Sequence, residues 1–159
     1  MRIKGLCDED FVNYKKPSMT IITCFCSFKC DIENGERCCQ NSTLAKAHIT
    51  SVPDDALIQR YINNPISKSV VFCGLEPFDQ FDEIFSFIKK MRVEYNCDDD
   101  IVIYTGYYKY EKLSEITRLR KFKNIIVKYG RFIPNNTNHF DEVLGVSLAS
   151  MNQFAEKIS

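Results

Sequence analysis

Five cysteines crowd into the sixteen positions from Cys24 to Cys39 (Cys24, Cys26, Cys30, Cys38 and Cys39), and no other feature of the chain restricts its chemistry as much. The whole chain of 159 residues carries only three more, Cys7, Cys73 and Cys97. A secreted disulfide framework spreads its cysteines through a loop-rich chain, whereas thiols packed into one segment of a chain with long amphipathic helices point to metal ligation. Thiolates are the usual ligands of iron–sulfur clusters, and close spacing lets one loop reach several irons of a cubane. Cys26-Ser27-Phe28-Lys29-Cys30 offers two such ligands. Cys39, followed by Gln40-Asn41, is the natural third, with Cys38 as the alternative, and Asn34-Gly35 places a turn in the extended loop between them. A zinc site built from four of the five cysteines is the competing reading, but no Cys-x2-Cys pair is present. Cys7 and Cys97 read as ordinary thiols and Cys73 as packing. His48 and His139 have no visible partner, so both are assigned to surface or loop roles.

The segment Met19–Thr23 is a short β-rich run that delivers the chain to the cluster of cysteines. Pro53-Asp54-Asp55 starts a helix whose apolar stripe is Leu57, Ile58, Tyr61 and Ile62, and Asn63-Asn64-Pro65 stops it. Ser69–Cys73 reads as a buried strand, followed by the turn Gly74-Leu75-Glu76-Pro77 and a helix striped by Phe81, Ile84, Phe85, Ile88 and Met91. Asp98-Asp99-Asp100 suggests a solvated turn before the strand Ile101–Thr105, which Gly106 closes with glycine's conformational freedom. A helix through Leu113, Ile116 and Leu119 and a strand Asn124–Tyr129 complete the pattern. Strands alternating with helices predict an α/β fold with a mostly parallel sheet, its strand C-termini sharing one edge with the cysteines. A chain of this length suits one domain, 1–159.

Composition narrows the function. The 21 basic and 21 acidic side chains cancel, so nothing pulls the chain toward nucleic acid, and the basic stretch from Lys109 to Arg131 reads as a solvated helix face. Apolar runs fall well short of the roughly 20 residues of a membrane span, and a cytoplasmic location is expected. Glu76 directly follows a buried strand and needs a partner, for which an ammonium group is suitable.

Several of these elements, in order, resemble the small radical S-adenosylmethionine activating enzymes, the family of the anaerobic ribonucleoside-triphosphate reductase activase. Asp10-Phe11-Val12-Asn13 resembles the family's opening segment, CSFKC its Cys-x3-Cys, and Cys39-Gln40-Asn41 its third cysteine with the following asparagine. Gly74-Leu75-Glu76-Pro77 resembles the turn that holds the methionyl amino group. Ile103-Tyr104-Thr105-Gly106-Tyr107 resembles the Thr-Gly-Tyr strand end, Val127–Phe132 the closing strand, and Ala149-Ser150-Met151-Asn152-Gln153 the end segment. Two departures stand out: eight residues separate Cys30 from Cys39 where the family has two, and Leu75 replaces a glycine.

The resemblance implies a partial (β/α) barrel. It implies a [4Fe-4S] cluster on Cys26, Cys30 and Cys39, with one iron left for S-adenosylmethionine. That cofactor would lie against Gly74, Leu75, Glu76, Pro77, Tyr104, Thr105, Gly106 and Asn152. The implied partners are a glycyl-radical enzyme, such as anaerobic ribonucleotide reductase, and an electron donor such as flavodoxin or ferredoxin. A radical enzyme acting on a peptide or small metabolite, and a non-enzymatic iron–sulfur or zinc protein, are the alternatives.

Overall fold

A computed structural model describes residues 1–159. Along the chain run β1 (Arg2–Ile3), β2 (Gly5–Asp10), β3 (Ser18–Thr23), α1 (Lys29–Asn34), β4 (Thr50–Ser51), α2 (Asp54–Asn63), β5 (Ser69–Gly74), α3 (Phe81–Val93), β6 (Asp100–Tyr104), α4 (Leu113–Leu119), β7 (Ile125–Tyr129), β8 (His139–Asp141), β9 (Val146–Leu148) and β10 (Phe154–Lys157). One sheet of six strands has the order β10-β7-β6-β5-β3-β2. Its four central strands are parallel. The edge strands β2 and β10 are antiparallel, and the sheet is open.

Parallel strands buried on both faces are expected to read as continuous apolar runs, which is how SVVFC and IIV appear in the sequence. Successive side chains leave a strand on opposite faces. Val70, Phe72, Ile101, Ile103, Ile125 and Val127 therefore form one face, packed by Leu57 and Ile58 of α2, Ile84, Phe87 and Ile88 of α3, and Ile116 and Leu119 of α4. Phe72 and Phe87 meet edge-on at 5.3 Å in the middle of this core. Burying each such ring is worth roughly 1.5–3 kcal/mol. Val71, Val102 and Ile126 point the other way, against Tyr14, Leu144 and Leu148. The strand order is consecutive across β3, β5, β6 and β7, so each crossover steps in the same direction. Right-handed crossovers of that kind put their helices on one face and leave the other for loops. Here the other face is covered by the loop after β2 and the β8–β9 hairpin.

Local expectations hold with a few corrections. Pro53 caps α2 and Asp54 and Asp55 occupy its first turn, but Ile62 is exposed and lies off the buried stripe. On α3 the stripe includes Phe87. Phe85 is only half-buried, lying 4.4 Å beneath the Arg118 guanidinium. Leu113 opens α4 and is exposed. Asp100 is no solvated turn residue: it opens β6, is buried, and accepts a hydrogen bond from Tyr14 Oη at 3.0 Å. The basic stretch from Lys109 to Arg131 is not simply a solvated face either, because Lys128 and Arg131 are both buried. No helix is long and apolar enough to cross a membrane.

Candidate functional site

The C-terminal ends of β3, β5, β6 and β7 surround a cavity of about 460 Å³. That volume is within the range of small-molecule sites, about 300–1,000 Å³. Cys26, Cys30, Cys39, Gly74, Leu75, Glu76, Tyr104, Thr105 and Gly106 all line it. The structure does not bring the other two sequence-predicted residues there. Pro77 is buried at the start of the short 3-10 turn Pro77–Gln80, and Asn152 turns its side chain to donate to the Arg131 carbonyl at 2.9 Å.

The turn after β5 is built tightly. Gly74 has φ +99°, and a Cβ there would lie 2.5 Å from Ile22 Cγ2, so only glycine fits. Glu76 is buried, and its carboxylate accepts from Thr105 Oγ1 at 2.7 Å, the Gly106 amide at 2.8 Å and the Phe78 amide at 3.0 Å. The expected ammonium partner is thus replaced by three donors from the chain itself. Burial outweighs these bonds and pushes the carboxyl up to about 7. Gly106 does not use a left-handed conformation; a Cβ there would sit 3.4 Å from Glu76 Oε2, so the small residue admits the carboxylate.

The cysteine loop is built differently. Phe28, in the middle of CSFKC, has φ 51°, a left-handed conformation uncommon for a side-chain-bearing residue. This bend lets the Phe28 amide donate to Cys26 Sγ at 3.2 Å and starts α1 at Lys29. The expected extended loop is therefore helical over its first half, ending at Gly35 with φ 70°. No residue of α1 is buried. Polar contacts hold it: Asp79 accepts from the Ser27 amide at 2.9 Å and from Tyr107 Oη at 2.6 Å. Lys29 pairs with Glu111 at 3.1 Å. Arg131 grips Glu111 with two hydrogen bonds of 2.8 and 2.7 Å and lies 3.1 Å from Glu33. The grip holds the Glu111 carboxyl down to about 2.

Asp31 accepts from the Cys38 and Cys39 amides at 3.0 and 2.8 Å, folding the loop back on itself. Cys39 consequently faces the cavity, while Cys38 Sγ turns toward the Cys30 carbonyl, 3.5 Å away. Burial pushes the thiols of Cys26 and Cys30 up to about 12 and 11, the neighbouring Cys39 adding to the rise at Cys30. Metal binding would have to displace those protons.

Residues outside the sequence expectation also reach the cavity. Cys73, read as packing, lines it as well as packing against the loop-covered face. Asn13 is placed by Asp10, which accepts its amide at 3.3 Å, and its carbonyl accepts from Tyr104 Oη. Gln153, the neighbour of Asn152, lines the cavity and donates to the Gly130 carbonyl at 3.2 Å. Lys128 lines it too, burial pushing its ammonium down to about 8. The signal for Lys128 lay in the sequence, as one charge inside the apolar strand Ile125–Tyr129.

Thiols gathered at the carboxyl edge of a parallel sheet are the equipment of a protein that holds a metal cofactor. The chain belongs to the 4Fe-4S single cluster domain family, whose model matches residues 19–152. The match runs from Met19 in β3 past β9 and takes in all three cavity-lining cysteines of the loop. No curated protein and no solved structure shows significant similarity to the chain. The donor set fits an iron–sulfur cluster, because three thiols line one cavity. A zinc site would need four donors at about 2.0–2.3 Å from one point.

Proposed function

We propose that this chain is a radical S-adenosylmethionine enzyme of the glycyl-radical activating type. Cys26, Cys30 and Cys39 would hold a [4Fe-4S] cluster, and S-adenosylmethionine would lie beside it. The observation that carries the reading is the meeting of three thiols, the Gly74–Glu76 turn and the Tyr104–Gly106 strand end in one cavity. The consecutive order of four parallel strands, each connected past one face, supports a partial (β/α) barrel around that cavity. A cluster held by these thiols would supply the electron for reductive cleavage of S-adenosylmethionine, and with it the means of removing a hydrogen atom from the substrate.

The chain's own residues position and shield. Gly74 and Leu75 line the cavity, and Glu76 braces the turn against Thr105 and Gly106. Pro77 begins the turn that buries Phe78, and Asn152 holds the backbone of Arg131 next to Gly130. Tyr104 lines the cavity and is tied by its hydroxyl to the Asn13 carbonyl. The substrate in this reading is a backbone glycine of a partner enzyme such as an anaerobic ribonucleotide reductase, with flavodoxin or ferredoxin as electron donor.

The test is anaerobic reconstitution with iron and sulfide, reduction with dithionite, and assay for 5'-deoxyadenosine with and without a glycyl-radical protein. Cleavage together with a glycyl doublet in the electron paramagnetic resonance spectrum is the expected result. Cleavage with no protein radical moves the substrate to a peptide or small metabolite. An iron-loaded, reduced protein that leaves S-adenosylmethionine intact is not a radical enzyme.

A further inference from the structure

Lys128 is 7% exposed, in a strand whose other residues, Ile125, Ile126, Val127 and Tyr129, are apolar. It shares a face of the sheet with Ile126 and lines the cavity that Cys26, Cys30 and Cys39 also line. One hydrogen bond holds it, to the Gly130 carbonyl at 2.9 Å. That carbonyl is itself fixed: Gly130 has φ +96°, a Cβ there would lie 2.8 Å from the Asn152 carbonyl oxygen, and Gln153 donates to the same acceptor. An ammonium has three donors and a full charge. Lys128 has one neutral acceptor and no ion pair. Glu76 is the carboxylate whose field it feels, but both Glu76 oxygens are taken up by Thr105, Gly106 and Phe78.

A buried cation without a counter-ion opposes folding unless something anionic joins it. The cysteine side of the cavity is where an anion would arrive. Cys30 and Lys128 line the same cavity, and a cubane held by three thiolates is negatively charged and gains a further charge on reduction. Resting on the cluster reading above, we propose that Lys128 supplies a fixed positive charge to the thiolate-bound cluster, offsetting its negative charge and raising its reduction potential. Reduction adds one electron to the cluster from an external low-potential donor, and a nearby cation stabilises the more negative product in a medium of low dielectric.

The experiment compares wild type, Lys128→Met and Lys128→Arg. Methionine keeps the length and removes the charge; arginine keeps the charge. For each, thermal unfolding of the metal-free protein, iron and sulfide per chain after anaerobic reconstitution, and a dithionite titration followed by electron paramagnetic resonance are measured. We expect metal-free Lys128→Met to unfold at or above the wild-type temperature. Its cluster midpoint should fall by about 59 mV or more, a tenfold change in the ratio of oxidised to reduced cluster for a one-electron couple. Lys128→Arg should stay near the wild-type midpoint. Loss of iron from a Lys128→Met protein that still unfolds at or above the wild-type temperature supports the proposal equally. Equal midpoints in loaded wild type and Lys128→Met overturn it, as does a metal-free Lys128→Met that unfolds below wild type. Failure of wild type itself to take up iron would instead defeat the cluster reading on which it rests.

Discussion

The turn after β5 is held by buried hydrogen bonds, whereas the cysteine loop after β3 is held by charges near the surface. Glu76 meets three donors inside the protein, and Gly74 touches the side chain of Ile22 so closely that a methyl group would not fit. Across the cavity α1 buries nothing; two of its tethers, Lys29 and Glu33, are 42% and 48% exposed. Exposed ion pairs contribute about 0–1 kcal/mol each and weaken with salt. One wall of the cavity is therefore finished by folding, and the other is positioned by folding but left for a ligand to fasten. Metal sites commonly work this way, the binding free energy of the ion serving as folding free energy for its loop.

The sharpest way to break this comparison is to remove single thiols. Replacing Cys39 by alanine should abolish iron loading after anaerobic reconstitution, while Cys38→Ala should keep nearly full iron content, because only the Cys39 side chain faces the cavity. The reverse outcome would mean that the loop rearranges when metal binds and that its ion pairs do not fix its path.

A smaller effect probes the finished wall through pH. The Glu76 carboxyl is pushed from 4.5 up to about 7 by burial, so between those values the folded state binds the extra proton. Stability of the metal-free protein should fall as pH rises through that window and stay low above it, a change of about 3 kcal/mol. Glu76→Gln carries whatever constant cost the amide imposes but lacks this slope. Urea unfolding at pH 5, 6, 7 and 8 should show the difference between the two proteins shifting steadily in favour of the variant. Parallel stability profiles would show that the carboxylate is ionised in the fold throughout, and so less desolvated than its burial implies.

The least of the three concerns the charged tether. Glu111→Gln should cost metal-free stability about 1.5–3 kcal/mol, because the buried Arg131 guanidinium loses the charge that two hydrogen bonds bring to it. It should also lower iron retention against a chelator, because Lys29 loses its ion pair and Arg131 keeps only Glu33. Retention by wild type should decline between roughly 0.1 and 1 M salt, over which the screening length shrinks from about 10 to 3 Å. Retention by Glu111→Gln should begin lower and respond less. A wild-type protein indifferent to salt would indicate that hydrogen bonds such as Ser27 to Asp79, rather than ion pairs, carry the loop.

The same division governs how much could be read in the sequence. Strands β3, β5, β6 and β7 were legible nearly to the residue because burial on both faces writes an unbroken apolar run. Edge strands have no such signature: GLCDED and FAEK face solvent along one side and carry charges, and the β8–β9 hairpin has only three residues in each strand. Within the site, the cysteines, the Gly74–Glu76 turn and Thr105-Gly106 announce themselves by residue type and spacing. The destination of Glu76 did not, since its partners are two backbone amides and a hydroxyl that become neighbours only when β5 and β6 align. Nor did the choice between Asn152 and Gln153, which one residue of register decides, or the ion pairs of α1, which join Glu33 to an arginine far along the chain.

The cavity wall includes Asn13 at one extreme of the sequence and Gln153 at the other, with Gly130 pressed against the Asn152–Gln153 backbone. Chains emerge from the ribosome N-terminus first, at about 5–20 residues per second. The thiols of Cys26, Cys30 and Cys39 are thus exposed to the cell for several seconds before residues 147–153 exist to close the pocket over them. Installation of the iron–sulfur cofactor meets a finished pocket only once that last wall has arrived, and whatever delivers iron and sulfide to this protein must either wait for it or guard the open thiols until it comes.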